Sequence, residues 1–128
     1  MGSIDEAERV FSREEKRIAE VLKDEGKEVK AKAELSGRRT GDAEVDRVPT
    51  EFKSLHPGAT SATVRNSINN SVRRGGQARH ITIDARVSGL TRVEAERGLA
   101  RARNITRGKI DSARIIGDGF DITSTDFP

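Results

Sequence analysis

Gly41-Asp42-Ala43-Glu44-Val45-Asp46-Arg47-Val48-Pro49-Thr50-Glu51-Phe52-Lys53-Ser54-Leu55 decides how this chain is read. Ala43-Glu44-Val45 and the run from Pro49 to Leu55 alternate in side-chain character, as half-buried strands do, because successive strand residues face opposite ways. Asp46-Arg47 between them predicts a turn, although Asp-Gly is the pair such a turn favours. Alternation then assigns faces. Ala43 and Val45 point one way and Asp42 and Glu44 the other; Glu51 and Lys53 are neighbours on one face of the second strand, and Phe52 opposes them. The plainest reading of Glu51 and Lys53 by spacing alone is an exposed strand bearing an ordinary ion pair.

Upstream, Phe11, Ile18 and Leu22 fall on one stripe at helical spacing, flanked by Ala19 and Val21, so a helix is expected from Phe11 to about Glu25, with Gly26 ending it. Glu15 lies within that stripe and Glu14 on its other flank. A carboxylate aimed at a core face is costly unless paired, so either one reaches solvent or it serves a purpose. Downstream, Thr60 or Ser61 can cap a helix with Val64, Ile68 and Val72 on one side, ended by Gly75-Gly76. Ile81 to Ala85 alternates as a strand, Thr91-Arg92-Val93-Glu94 has capping-box spacing and opens a helix to about Arg103, and Ala113 to Ile116 is a last core strand. Gly117-Asp118-Gly119 then turns the chain into Phe120-Asp121-Ile122. This order predicts an α/β fold in one domain, a mixed sheet flanked by helices. Residues 1–10 are expected to be a disordered or cloning-derived leader, with the domain spanning 11–128.

The composition bounds the function. With 128 residues, 33% of them hydrophobic and only four Phe with no Trp or Tyr, the chain fits one domain whose core is built from small aliphatics. Cysteine is absent, which excludes disulfides and Cys-based zinc sites. No run approaches the ~18 apolar residues of a membrane span. The net charge of +3 hides a segregation: acidic residues crowd the first 51 positions, while Arg65, Arg73, Arg74, Arg79 and others up to Arg107 fill the rest. Arginine-rich surface suits phosphate, whose oxygens match the planar guanidinium fork. Singly, each Arg can equally be a solvated helix residue.

Gly41-Asp42 followed by Glu51-Phe52-Lys53, with Glu15 on a preceding helix, resembles the PD-(D/E)xK motif of restriction-endonuclease-like nucleases, with Gly41 in place of the usual proline. The run Val48 to Leu55, Gly58-Ala59-Thr60-Ser61, Gly75-Gly76-Gln77-Ala78-Arg79 and Ile115 to Phe120 resemble the C-terminal toxin domains of CdiA-type contact-dependent growth inhibition proteins. The resemblance implies a restriction-endonuclease-like sheet and a metal-dependent nuclease. Asp42 and Glu51 would be the principal ligands of Mg²⁺, with Zn²⁺ or Mn²⁺ as alternatives, and Glu15 would complete the shell. Asp42 is preferred to Glu44 and Asp46 on the resemblance alone. Lys53 would position a water or offset charge on the phosphate, and Gln77 would orient a water or phosphate.

Substrate would be held by the helix N-terminus at Thr60 and Ser61, where free N–H groups favour an anion, and by Arg65, Arg73, Arg74 and Arg79. With few aromatic residues to stack on bases, recognition through backbone and shape is expected, as for tRNA or duplex DNA. Two other classes explain parts of the pattern: a metal-independent ribonuclease using His56 and His80 as acid and base, and a non-catalytic nucleic-acid-binding module. The toxin resemblance further implies export as the C-terminal part of a larger cell-surface protein, action in the target-cell cytoplasm, and a small acidic immunity protein competing for the basic face.

Overall fold

A computed structural model describes residues 1–33, 42–73 and 78–127, excluding the Arg73 side chain. Its elements in chain order are β1 (Ser3–Asp5), α1 (Arg13–Asp24), β2 (Glu28–Ala31), β3 (Ala43–Val45), β4 (Val48–Ser54), α2 (Ser61–Arg73), β5 (His80–Asp84), α3 (Arg92–Arg103), β6 (Ser112–Ile116) and β7 (Asp121–Ser124). The strands form a seven-stranded sheet in sequential order, β1 at one edge and β7 at the other. β1–β2, β4–β5 and β5–β6 are parallel, and the remaining pairs antiparallel. The expected α/β domain with a mixed sheet and flanking helices is the observed architecture.

Local chemistry accounts for the boundaries. Ser12 caps α1 by accepting from the Glu15 N–H at 3.2 Å, while a Glu15 carboxylate oxygen accepts from the Ser12 N–H at 2.9 Å, a reciprocal capping box. Gly26 leaves the helix at φ 90°, where an L side chain would be strained. The hairpin turn places both Asp46 and Arg47 at positive φ, 48° and 69°, as a type I′ turn requires. Asp46 offsets that strain through its neighbour strand: its carboxylate accepts from the Glu28 N–H and its own N–H donates to the Glu28 carbonyl, both at 2.8 Å.

Three strands go beyond the sequence expectation, one of them β7, which pairs antiparallel with β6 after the expected turn at Gly117-Asp118-Gly119. The stretch between Gly26 and Ala43 contains β2, whose Val29 and Ala31 are buried. The expected loose leader over residues 1–10 instead begins with β1, whose Ile4 pairs with Val29, and Gly2 packs so tightly on the Lys23 carbonyl that a Cβ would not fit. The parallel ladder to β2 is what orders this segment; its own three residues show too little pattern to announce it.

The strand registers sort side chains into two layers. Phe52, Ala43, Ala31 and Val29 face α1 and pack with Phe11, Ile18, Ala19 and Leu22. Ile81, Ile83, Ala113 and Ile115 face the other way and pack with Val64 and Ile68 of α2 and with Ala95, Leu99 and Ala102 of α3. Gly98 lets α3 approach α2 closely, since a Cβ there would collide with Val64. Glu51 and Lys53, partnered with Ile81 and Ile83 in the β4–β5 ladder, therefore lie on the second face, with Phe52 opposing them as expected.

Candidate active site

Carrying the β3–β4 register one step beyond Ala43–Thr50 sets Asp42 directly opposite Glu51. Residues so opposed share a face with Cβ atoms about 4.5–5.5 Å apart, and like charges there repel. Glu51 is only 3% exposed, so this is not the solvated ion-pair strand that spacing alone suggests. Asp42 is half-buried, and its Oδ2 accepts from the Phe52 N–H at 2.8 Å. Burial, chiefly, together with the charges of Glu51 and Glu15 and proton sharing with Glu51, pushes the Asp42 carboxyl up from 3.8 to about 6, against the opposing pull of the Phe52 N–H. Lys53 is the next residue on the Glu51 face and is half-buried. No ion pair ties it to another of the described residues.

Glu15 lies close enough for its charge to act on Asp42, but its oxygens are already engaged. Oε1 accepts from Arg9 Nη1 at 2.9 Å and from the Ser12 N–H at 2.9 Å, and Oε2 accepts from Arg9 Nη2 at 3.3 Å. Arg9 and Ser12 outweigh the cost of burial and hold the Glu15 carboxyl below its usual range. Among the described residues no three His, Cys, Asp or Glu side chains gather as a metal-binding group. The expected trio thus resolves into an opposed pair, Asp42 and Glu51, and a third carboxylate committed to Arg9. A pair still suits a hard divalent ion such as Mg²⁺, which keeps most of its waters and is commonly held by one or two carboxylates.

Residues 39–122 match the family described as the contact-dependent growth inhibition CdiA C-terminal domain. The chain belongs to this family. A solved structure, the CdiA-CT/CdiI toxin and immunity complex from Burkholderia pseudomallei, is similar in fold, with a TM-score of 0.64 over 97% of this chain and 98% of that one at 15% identity. No curated protein sequence matches the chain.

This CdiA C-terminal domain disposes of the other expected site residues unevenly. Gly41, Arg74, Gln77 and the Arg73 side chain lie outside the described residues. The α2 N-terminus is not an open anion cradle: the Ser61 N–H donates to Glu94 Oε2 at 2.7 Å, the Ser61 hydroxyl accepts from Arg101 at 3.2 Å, and the Thr60 N–H donates to Thr63 Oγ1 at 3.0 Å. Arg79 sits before β5, at the opposite end of the sheet, and donates through Nε and Nη2 to Asp111 at 3.0 Å each and to the Gly108 carbonyl at 2.6 Å. Arg65 stays on the α2 surface, bonded to Asn66 at 3.0 Å. The expected groove of arginines is therefore not one surface among the described residues.

The histidines are also apart. His80 pairs with Thr50 in the β4–β5 ladder, whereas His56 lies six residues beyond Thr50, which along a strand is about 20 Å. His80 Nδ1 is bonded to Ser112 Oγ at 2.6 Å, and His56 stands 4.0 Å from Glu14. Across that distance one cannot serve as base to an attacking hydroxyl while the other protonates the leaving oxygen of the same bond, so the geometry does not favour the two-histidine ribonuclease. A cavity of about 620 Å³ does include His80, with Thr50, Thr82, Ser112 and Arg114, but it opens on the sheet face away from Glu51 and Lys53. The sequence reading passed over Arg9, whose neighbours along the chain offer no pattern that singles it out.

Proposed function

We propose that this domain is the toxin module of a contact-dependent growth inhibition protein and acts as a metal-dependent nuclease of the PD-(D/E)xK kind, hydrolysing phosphodiester bonds in tRNA. The observation that carries this reading is the opposed pair Asp42 and Glu51 with Lys53 beside them on the same face. Two carboxylates placed to repel each other favour a divalent cation between them. When bound there, such an ion supplies a water of lowered pKa and a countercharge for the phosphate. Lys53, uncommitted among the described residues, offers its ammonium to the non-bridging phosphate oxygens as negative charge grows on them. Asp42, whose carboxyl is pushed up to about 6, would have to release its proton to hold such an ion, so binding would strengthen as pH rises.

The scarcity of aromatic side chains supports recognition of a folded nucleic acid through backbone and shape, with Arg65 and, outside the described residues, Arg73 and Arg74 as phosphate contacts. Action in the target-cell cytoplasm accords with a tRNA substrate, and delivery as the C-terminal part of a larger cell-surface protein follows from the family. So does a cognate immunity protein, by analogy with the Burkholderia complex. An acidic inhibitor surface suits a site that must attract a polyanion. Because Arg79 already donates through Nε and Nη2 to Asp111 and the Gly108 carbonyl, competition would centre on Lys53, Arg65, Arg73 and Arg74.

The deciding experiment incubates the purified domain with total tRNA and with plasmid DNA, each with Mg²⁺ or EDTA. Metal-dependent cleavage of tRNA that disappears in Lys53→Ala is the expected result. Binding of either nucleic acid without cleavage under any metal condition would replace the enzyme with a binding module; cleavage of the plasmid alone would keep the enzyme and change its substrate.

A further inference from the structure

Arg9 gathers more polar contacts than any spacing rule assigns to it. Its Nε donates to the Lys32 carbonyl at 2.9 Å, Nη1 to Glu15 Oε1 at 2.9 Å, and Nη2 to Glu15 Oε2 at 3.3 Å and to the Asp42 carbonyl at 2.8 Å. The guanidinium also lies 5.5 Å over the Phe11 ring, which stacks on Phe52 at 5.8 Å. Phe52 in turn donates its N–H to the Asp42 carboxylate. These contacts close a circuit. Asp42 is gripped at its main chain by Arg9 and at its side chain by Phe52, and the two gripping residues are tied through the Phe11–Phe52 stack.

We propose that Arg9 is a positioning residue that fixes Asp42 opposite Glu51, and that Glu15 serves the site by orienting Arg9 rather than by binding a cation. The fork is the reason for an arginine here. A planar guanidinium can address two carbonyls and a carboxylate at once from a fixed geometry, whereas an ammonium at the same place presents a point charge and loses the bidentate grip. Glu15 holds the fork in plane through two oxygens and is itself held by its capping box with Ser12. The helix start, the β2 and β3 strand ends and the acidic pair are thereby one mechanical unit. This inference rests on the reading of Asp42 and Glu51 as the cation pair only for its metal readout; its placement of Asp42 stands apart from that reading.

The test has two arms on full-length protein, using Arg9→Lys, Glu15→Gln and the double variant. In the metal-free arm, amide hydrogen exchange is followed at Phe52, whose acceptor is Asp42, and at Ile83 as a reporter of global opening. Arg9→Lys is expected to speed exchange at Phe52 at least about tenfold relative to Ile83; equal change at both, or none, overturns the proposal. In the second arm, Mn²⁺ binding is measured by calorimetry. Arg9→Lys and Glu15→Gln should each weaken it by about tenfold or more, and the double variant should be no worse than either single one, because both remove one device. Multiplicative losses would make Glu15 an independent ligand and overturn its assigned role. Wild-type protein that binds no Mn²⁺ would defeat the cation-pair reading, while the exchange arm would still decide whether Arg9 places Asp42.

Discussion

Two carboxylates drawn into this sheet, Asp84 buried and Asp42 half-buried, answer the same problem in opposite ways. Asp84, at the end of β5 and 4% exposed, receives Arg86 Nε at 2.9 Å and Nη2 at 2.9 Å, with the Arg86 N–H at 3.1 Å. Burial would raise its carboxyl, but the Arg86 hydrogen bonds and charge outweigh it and the net shift is downward. Asp42, where β3 and β4 meet, has one main-chain donor and faces a second carboxylate, and its shift is upward. A carboxylate supplied with its own cation is finished architecture. One set against another carboxylate is pushed the other way, and keeps its proton to a higher pH.

The comparison breaks first on activity. Asp42→Asn and Glu51→Gln should each cut cleavage by more than about 100-fold, a loss on the order of 3 kcal/mol in transition-state stabilisation. Asp84→Asn, assayed per folded molecule, should stay within about threefold of wild type, under about 1 kcal/mol. Comparable loss at Asp84 would erase the distinction. Stability should invert the ranking. Asp84→Asn strands the Arg86 guanidinium and is expected to cost about 2–3 kcal/mol in chemical denaturation, whereas Asp42→Asn, which relieves a repulsion, should be neutral or stabilising without metal. Added Mg²⁺ or Mn²⁺ at about 100 times its dissociation constant should stabilise the wild type by up to about 2.7 kcal/mol and leave Glu51→Gln unmoved in a thermal melt.

The finest test is the pH dependence of stability. Asp42 titrates near 6 in the folded chain and near 3.8 when unfolded, so between those values the folded form holds a proton the unfolded form has released. Its contribution to stability therefore falls as pH rises from about 4 to about 6, by about 1–2 kcal/mol after allowing for its partial exposure. The Asp84 shift has the other sign, giving stability that is present above 3.8 and lost as pH falls through its lowered folded value. Asp42→Asn should flatten only the upper limb of the metal-free curve and Asp84→Asn only the acid limb. Identical curves for the two variants would mean that neither carboxylate titrates as its surroundings dictate.

The readable parts of the site were those carried by local pattern. Once the turn at Asp46-Arg47 is placed, alternation pairs Glu51 with Lys53 on one face, and the register brings Asp42 across from Glu51. Helices α1 and α2 were legible from apolar stripes at helical spacing, and α3 from the capping-box spacing at Thr91. What stayed hidden depends on distant segments. The β1–β2 pairing joins short strands with little alternation, and only their ladder reveals them. Arg79 meets Asp111 and Ser61 meets Glu94, partners more than 30 residues away that turn an expected phosphate contact into internal structure. The helical spacing shows Glu15 facing the core but not what holds it there: the Ser12 N–H of its capping box, and Arg9, brought to it by a segment expected to be loose.

The sequential order of the sheet bears on how this chain acquires its shape. Every strand from β1 to β7 is hydrogen-bonded to the strand immediately before or after it in sequence. Among the described residues no strand pairing joins the two ends of the chain, so each new pairing closes only the loop to its predecessor, and the entropy of closure is met in steps. A polypeptide presented from its N-terminus can add strands one after another without waiting for the last residues to arrive, although the parallel partners Ser3–Glu28, Thr50–His80 and His80–Ser112 each require a long crossover to close first, which slows folding.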